Sequence, residues 1–270
     1  MSTRRKVLRG LASVLGLGVA GAWASEDQAL HDKRNQLLRM LVTGYDNANL
    51  KITKAPSIDN STCILTQAQV EGPYRLSAPV RTDVTEGKPG IPFELSVQVV
   101  ASDGCTPLPD LLVEIWHCDA AGVYSGHPDL SRDLYGSMEY VGWDFSKTRE
   151  ASNAELWLRG AQRTNEMGMI RFKTIFPGWY DMRAPHIHFK IGGPQRELFT
   201  SQFYFEDSVA NEIYRNNPDY KAFGESPYSP KNDLGIMLVG GAEGLLLDVD
   251  EIGSGTVQAT AKVGIDLRGA

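Results

Sequence analysis

The chain has 270 residues, enough for one large domain or two small ones. Its 42% apolar and 22% charged residues are ordinary for a globular protein. The formal charge is −6 and there is no long basic run, which excludes nucleic acid as a partner, because phosphate binding needs clustered Lys and Arg.

The first 24 residues read as an export signal. Thr3–Arg9 is basic, LASVLGLGVAGAWA is apolar, and Ala22-Trp23-Ala24 gives the small-x-small pattern of a cleavage site before Ser25. The apolar run is too short and too Gly-rich for a membrane span, so no stable span is expected after cleavage. The pair Arg4-Arg5 resembles a twin-arginine signal. That route carries folded proteins, often with a cofactor already loaded, and implies a periplasmic or extracellular destination. Losing Arg4, Arg5, Lys6 and Arg9 moves the charge from −6 to −10, which favours solubility and disfavours anionic lipid.

Within residues 25–45, Leu30, Leu37, Leu38 and Leu41 are close to helical spacing. This predicts a short N-terminal helix that packs on a domain or on a second copy, so a homo-oligomer is among the expectations. Residues 46–62 are polar and read as a linker, which assigns 25–62 to helix and linker and 63–270 to one domain.

From residue 63 onward the pattern becomes that of strands. In PFELSVQVV (92–100), Phe93, Leu95, Val97 and Val99 share one face. LLVEIWHC (111–118), MIRFKTIF (169–176), HIHFKI (186–191) and LFTSQFYF (198–205) read as further strands. ANEIYRN (210–216) reads as a short helix. GLLLDVDEIG (244–253) and TVQATAKVGID (256–266) read as a terminal hairpin. Many short strands between Gly/Pro turns predict a mainly β fold with an antiparallel β-sandwich core and long loops. Residues 125–160 form a long insertion with weak periodicity, and a loop of that length is usually functional. Cys63, Cys105 and Cys118 include no CxxC. An exported chain allows one disulfide and one free thiol, and Cys105–Cys118 is the favoured pair.

Chemistry concentrates in PGWYDMRAPHIHF (177–189). Strand periodicity puts His186 and His188 on one face, with Ile187 on the other. Two such imidazoles are either structural histidines or ligands of one metal ion. Tyr180 lies just upstream, and phenolate is a hard oxygen ligand suited to a trivalent ion. Zinc prefers Cys, His and carboxylate, so Tyr beside His-x-His points to iron. Asp181 is an alternative carboxylate ligand, although its place in a turn fits a solvated side chain better.

This stretch resembles the signature of the intradiol ring-cleavage dioxygenases. Two further segments resemble the same family: Trp116-His117-Cys118-Asp119-Ala120-Ala121-Gly122-Val123-Tyr124, within CTPLPDLLVEIWHCDAAGVYSG, and CILTQAQVEGPYR (63–75). The resemblance covers about 63–210. It implies a non-haem Fe(III) cofactor bound by Tyr124, Tyr180, His186 and His188. Tyr180 takes the role of the axial tyrosine that dissociates when substrate chelates iron, and Tyr124 stays bound. It further implies Arg183 as a charge stabiliser beside the substrate and Gln202 as a glutamine near the iron. The implied reaction opens a catechol-type ring with O2 to a cis,cis-muconate-type diacid.

Two features depart from better-known members. Only two residues separate Tyr180 from Arg183, where protocatechuate enzymes carry a longer insertion, so a more open pocket is expected. Export is also atypical. For Arg183 the competing reading is a surface salt bridge, and for Gln202 a plain strand residue. His127 reads better as an exposed loop residue than as pocket lining. Glu71, Pro73 and Tyr74 read equally as site or turn, and the direction of His117 stays open. Two other functions compete: a metal-dependent hydrolase using His-x-His, and a non-catalytic β-sandwich binding module. The first would be a colourless zinc protein and the second would bind no iron, so the tyrosinate band of an iron protein separates both from the dioxygenase.

Overall fold

The computed structural model describes residues 50–59, 61–129, 147–192, 197–249 and 255–266. All belong to the larger of two compact units, Arg39–Ala270. The export signal and the helix expected over 25–45 lie outside the described residues.

Among the described residues ten strands form two sheets. In chain order they are β1 (Lys51–Lys54), β2 (Pro92–Ala101), β3 (Leu112–Trp116), β4 (Arg159–Arg163), β5 (Met169–Ile175), β6 (His186–Gly192), β7 (Glu197–Tyr204), β8 (Gly241–Leu246), β9 (Asp248–Val249) and β10 (Val257–Ile265). One sheet has the order β1-β8-β7-β6-β3-β4 and the other β5-β2-β10-β9. The sandwich is mainly antiparallel, but β1 runs parallel to β8, β7 to β8 and β10 to β2. Alternation explains the core. Phe93, Leu95, Val97 and Val99 meet Val113, Ile115, Ile187, Phe189 and Ile191 in one buried cluster, and each such side chain contributes about 1.5–3 kcal/mol by leaving water.

Among the described residues two helices follow β7. α1 (Asp207–Asn216) buries Ala210, Ile213 and Tyr214. α2 (Leu234–Val239) starts at Asp233, whose side chain accepts from Ile236 N, and stops at Gly240 with φ 86°. Among the described residues no helix is long and apolar enough to cross a membrane.

Four expectations need correction. The stretch read as linker contains β1, which extends the edge of the larger sheet beyond β8. The insertion read as loop contains the start of β4, which pairs with β3 through Trp116↔Arg159; its RGAQR sequence lacks the apolar alternation that marks the other strands. The strand read over 244–253 breaks after Leu246, so β8 stays in one sheet while β9 crosses to pair with β10. The disulfide joins Cys63 to Cys105, not Cys105 to Cys118. Leu65 bridges Gly264 on β10, and β10 pairs with β2 through Ala101↔Ile265. That pairing brings Cys63 and the loop after β2 to one end of the sandwich, with Cα atoms 5.5 Å apart. Cys118 is a buried thiol 3.4 Å from the Gly178 carbonyl.

Candidate metal centre

The centre lies on the outer face of the larger sheet. Because Ile187, Phe189 and Ile191 enter the core, His186 and His188 project from the other side of β6. Their cross-strand partners on β7 are Tyr204 and Gln202, and His188 also pairs with Trp116 on β3. The Trp116 ring stacks on His188 at 4.8 Å and 9°, which fixes the imidazole plane.

Two loops deliver the tyrosines. After β3, the Asp119 carboxylate accepts from the backbone N–H groups of Ala121 (2.9 Å) and Val123 (3.0 Å), curling the chain toward Tyr124. The loop before β6 docks on this turn: Gly178 N donates to Asp119 O at 3.0 Å. Gly122, at φ 78°, sits at the contact, where an added Cβ would lie 2.2 Å from the Trp179 carbonyl oxygen. The glycine of the Trp-x-x-x-x-x-Gly-x-Tyr segment therefore sets the distance between the two tyrosine loops.

Four donor atoms converge as a result. The Tyr124 and Tyr180 hydroxyls are 3.5 Å apart, and they lie 3.3 and 3.2 Å from His186 Nε2. His186 Nε2 is 3.0 Å from His188 Nε2. His186 Nδ1 lies 2.6 Å from the Ala184 carbonyl, so Nδ1 carries the proton and Nε2 turns its lone pair to the centre. Neighbouring ligands with bonds of about 2.0–2.1 Å to one ion stand about 2.9–3.4 Å apart, and this set matches that spacing. Among the described residues no group of three or more His, Cys, Asp or Glu side chains gathers to hold a metal, so the two imidazoles need both phenols to make four donors.

All four side chains are buried. Burial pushes Tyr124 well above the ordinary tyrosine value, and Tyr180 adds to the effect. Burial also drives Tyr180 up to about 12, opposed by Arg183. Both histidines are held well below their ordinary value, first by burial, then by Arg183 at His186 and by His186 and Arg183 at His188. Without a cation the centre is four neutral donors. A trivalent ion bound there would supply the charge that turns the phenols into phenolates.

Arg183 is buried, not a surface residue. Its Nε donates to Asp233 Oδ2 at 2.9 Å, Nη1 lies 3.4 Å from the Tyr180 hydroxyl, and Nη2 donates to Gln202 Oε1. Gln202 also donates to the Val70 carbonyl at 2.6 Å and accepts from the Tyr204 hydroxyl at 2.9 Å. Its side chain thus anchors Arg183. Tyr74 stacks on Tyr124 at 4.7 Å and meets Tyr180 edge-on at 6.1 Å. Glu71 instead pairs with Lys190, and Pro73 holds Arg149 N through its carbonyl at 2.8 Å. His127, expected on the surface, is buried with its ring 5.5 Å from Tyr74. His117 turns from the centre: its nitrogens lie 2.7 Å from Thr174 Oγ1 and 2.7 Å from Cys118 O. Among the described residues Asp181 makes no group of three with His186 and His188.

Asp233 escaped the sequence reading. An acidic residue before the apolar run LGIMLV is a visible helix-start signal, but its partner Arg183 lies 50 residues earlier and no local pattern links them.

No family model matches the chain. A chlorocatechol 1,2-dioxygenase of Cupriavidus pinatubonensis is 30% identical over 173 residues, covering 62% of this chain and 63% of that protein. A chlorocatechol 1,2-dioxygenase of Burkholderia cepacia matches to the same extent. The match therefore spans less than two thirds of these relatives' length. Among solved structures, an intradiol ring-cleavage dioxygenase from Tetranychus urticae superposes with a TM-score of 0.65 at 26% identity, covering 76% of this chain and 95% of that one. A hydroxyquinol 1,2-dioxygenase from Pseudomonas putida shares the fold, with a TM-score of 0.51 at 16% identity over 98% of this chain and 84% of its own. Relatives in sequence and neighbours in structure agree in kind: those this chain is similar to are intradiol ring-cleavage dioxygenases.

Proposed function

We propose that the protein is a non-haem Fe(III)-dependent dioxygenase that opens a catechol-type ring between its two hydroxyl-bearing carbons, incorporating both atoms of O2 into a cis,cis-muconate-type diacid. The carrying observation is the convergence of Tyr124, Tyr180, His186 and His188 donor atoms within 3.0–3.5 Å of their neighbours. These residues would hold the iron, which when bound supplies a Lewis acid for the catechol oxygens.

The chain's own residues supply the rest. His186 and His188 enter as neutral imidazoles, set by burial and by the Ala184 carbonyl. Tyr180 is the phenol beside Arg183. Held by the metal, Tyr180 would be a phenolate, and its Oη is the group that could take up a substrate hydroxyl proton. Arg183, fixed by Asp233 and Gln202, presents Nη1 where negative charge builds on the substrate. Trp116 and Tyr74 wall the donors and keep water from them. The basic start and short apolar run ahead of Ser25 support export by a twin-arginine-type signal. Such a location gives access to catechols outside the cytoplasm.

The test is direct. Protein loaded with iron should show a red-brown tyrosinate band and consume O2 with at least one member of a catechol panel. A colourless protein with no catechol-dependent uptake would sink the proposal and return the metal hydrolase or the binding module.

A further inference from the structure

One cross-strand row on the outer face of the larger sheet reads Gln202, His188, Trp116, Arg159. Arg159, at its end, is fully buried. Its Nε donates to Ser125 Oγ at 2.8 Å and its Nη2 to the Ser125 carbonyl at 2.7 Å. Ser125 directly follows Tyr124, and its hydroxyl is tied in turn to the Trp157 carbonyl at 2.8 Å. The guanidinium carbon stands 6.0 Å from the centre of the Tyr124 ring, within reach of a cation–π attraction.

The third nitrogen, Nη1, is buried with no hydrogen-bond partner. Among the described residues no carboxylate pairs with Arg159. Burial pulls its own value down to about 10, and the group acting in the opposite direction is Tyr124. A buried cation without an anion is costly, and a fold that needed only a clamp on Ser125 could use a neutral side chain.

We infer that Arg159 is a positioning residue for Tyr124: its fork to Ser125 fixes the loop that presents the phenol, and its fixed positive charge behind the ring lowers the energy of the electrons Tyr124 gives to the metal. This rests on the iron reading above. The metal-bound phenolate is then the anion that the buried guanidinium lacks. Arg159 touches neither substrate nor donor atoms, and acts through Tyr124.

The test compares the visible spectra of the iron-loaded wild type, Arg159→Gln and Arg159→Lys, with iron per chain and the thermal midpoint measured on the same samples. Gln can still bond Ser125 but carries no charge, and its tyrosinate band should move to longer wavelength. Lys keeps the charge, and its band should return close to the wild-type position. A merely structural residue would change the midpoint or the iron content and leave the wavelength alone. Equal wavelengths in all three proteins, or equal shifts in Lys and Gln, would overturn the inference while leaving the iron reading intact. A wild type with no band would overturn the iron reading itself and this inference with it. Ser125→Ala covers the case in which the Gln variant does not fold. It releases the fork but keeps the cation, so iron content should fall with the wavelength unchanged, and a shifted band there would count against the inference.

Discussion

The Arg183 guanidinium and the Asp233 carboxylate form an ion pair at 2.9 Å between two buried side chains, joining the loop before β6 to the residue that caps the start of α2. Asp233 also accepts from Ala184 N at 2.8 Å and from Ile236 N at 2.9 Å. One carboxylate therefore caps a helix, holds the backbone just ahead of the His-x-His strand and orients the candidate charge stabiliser. Asp233→Ala leaves Arg183 buried without its partner, which costs about 3–5 kcal/mol. Urea unfolding should show that loss, with activity on catechol falling in the same variant. Asp233→Asn keeps an oxygen for the cap and should lose less stability than Ala. A loss under about 1 kcal/mol in the Ala variant would mean that the pair does not hold Arg183 in place.

The four donors can be tested one at a time. Tyr124→Phe and His188→Ala should each lose iron or activity while the fold survives, as read by metal analysis beside circular dichroism. The Phe change removes one hydroxyl from a ring still held by Tyr74, so its stability cost should stay within about 1.5 kcal/mol. Full iron content with unimpaired turnover in either variant contradicts the ligand assignment.

The two histidines of the candidate centre were more legible in the residue pattern than parts of the scaffold around them. Tyr124 came only from the resemblance of its Trp-x-x-x-x-x-Gly-x-Tyr segment to the intradiol dioxygenases, whereas period-two spacing alone put His186 and His188 on one face. The strands with apolar alternation, β2, β3, β5, β6 and β7, were legible for the same reason. β4 was not, since RGAQR buries its first three residues without any alternation, and β1 was not, since KITK stays half-exposed at a sheet edge. Arg159 and Asp233 were missed because their partners Ser125 and Arg183 are 34 and 50 residues away. A buried cation and its neighbour leave no periodic trace.

Gly122 links the two tyrosine loops, and Gly122→Ala tests that link without touching a donor atom. An alanine there must hold a φ of 78° and place its Cβ 2.2 Å from the Trp179 carbonyl oxygen. The backbone conformation alone costs about 1 kcal/mol, and the clash must move one loop. Iron affinity should drop, with the tyrosinate band weakened, in a protein that still unfolds cooperatively. Unchanged iron affinity would show that the spacing of the loops tolerates the shift.

His117 makes stability depend on pH. Burial lowers it from 6.5 to about 4. Between those values the unfolded chain binds a proton that the folded chain refuses, so the native state loses stability as pH falls from 6.5 toward 4. The slope from this one group approaches about 1.4 kcal/mol per pH unit. Above pH 6.5 the contribution is constant. His117→Asn should be less stable at pH 7, because two hydrogen bonds go, yet flatter across the acid range. Equal slopes for the two proteins in urea unfolding at pH 7, 6 and 5 would rule out His117 as a source.

The Cys63–Cys105 bridge closes a loop spanning 42 residues of separation. By the chain-entropy account, such a loop stabilises the fold by about 4 kcal/mol through the unfolded state. Cys63→Ser and Cys105→Ser should each lower the unfolding midpoint by a similar amount, since either change opens the same loop. Cys118→Ala, which deletes a buried thiol, should cost only the small term of its packing. Peptide mapping of the oxidised protein should find Cys63 linked to Cys105, and Cys118 alkylated only after unfolding. A Cys105–Cys118 peptide, or a Cys118 variant as unstable as the other two, would restore the pairing favoured from the sequence.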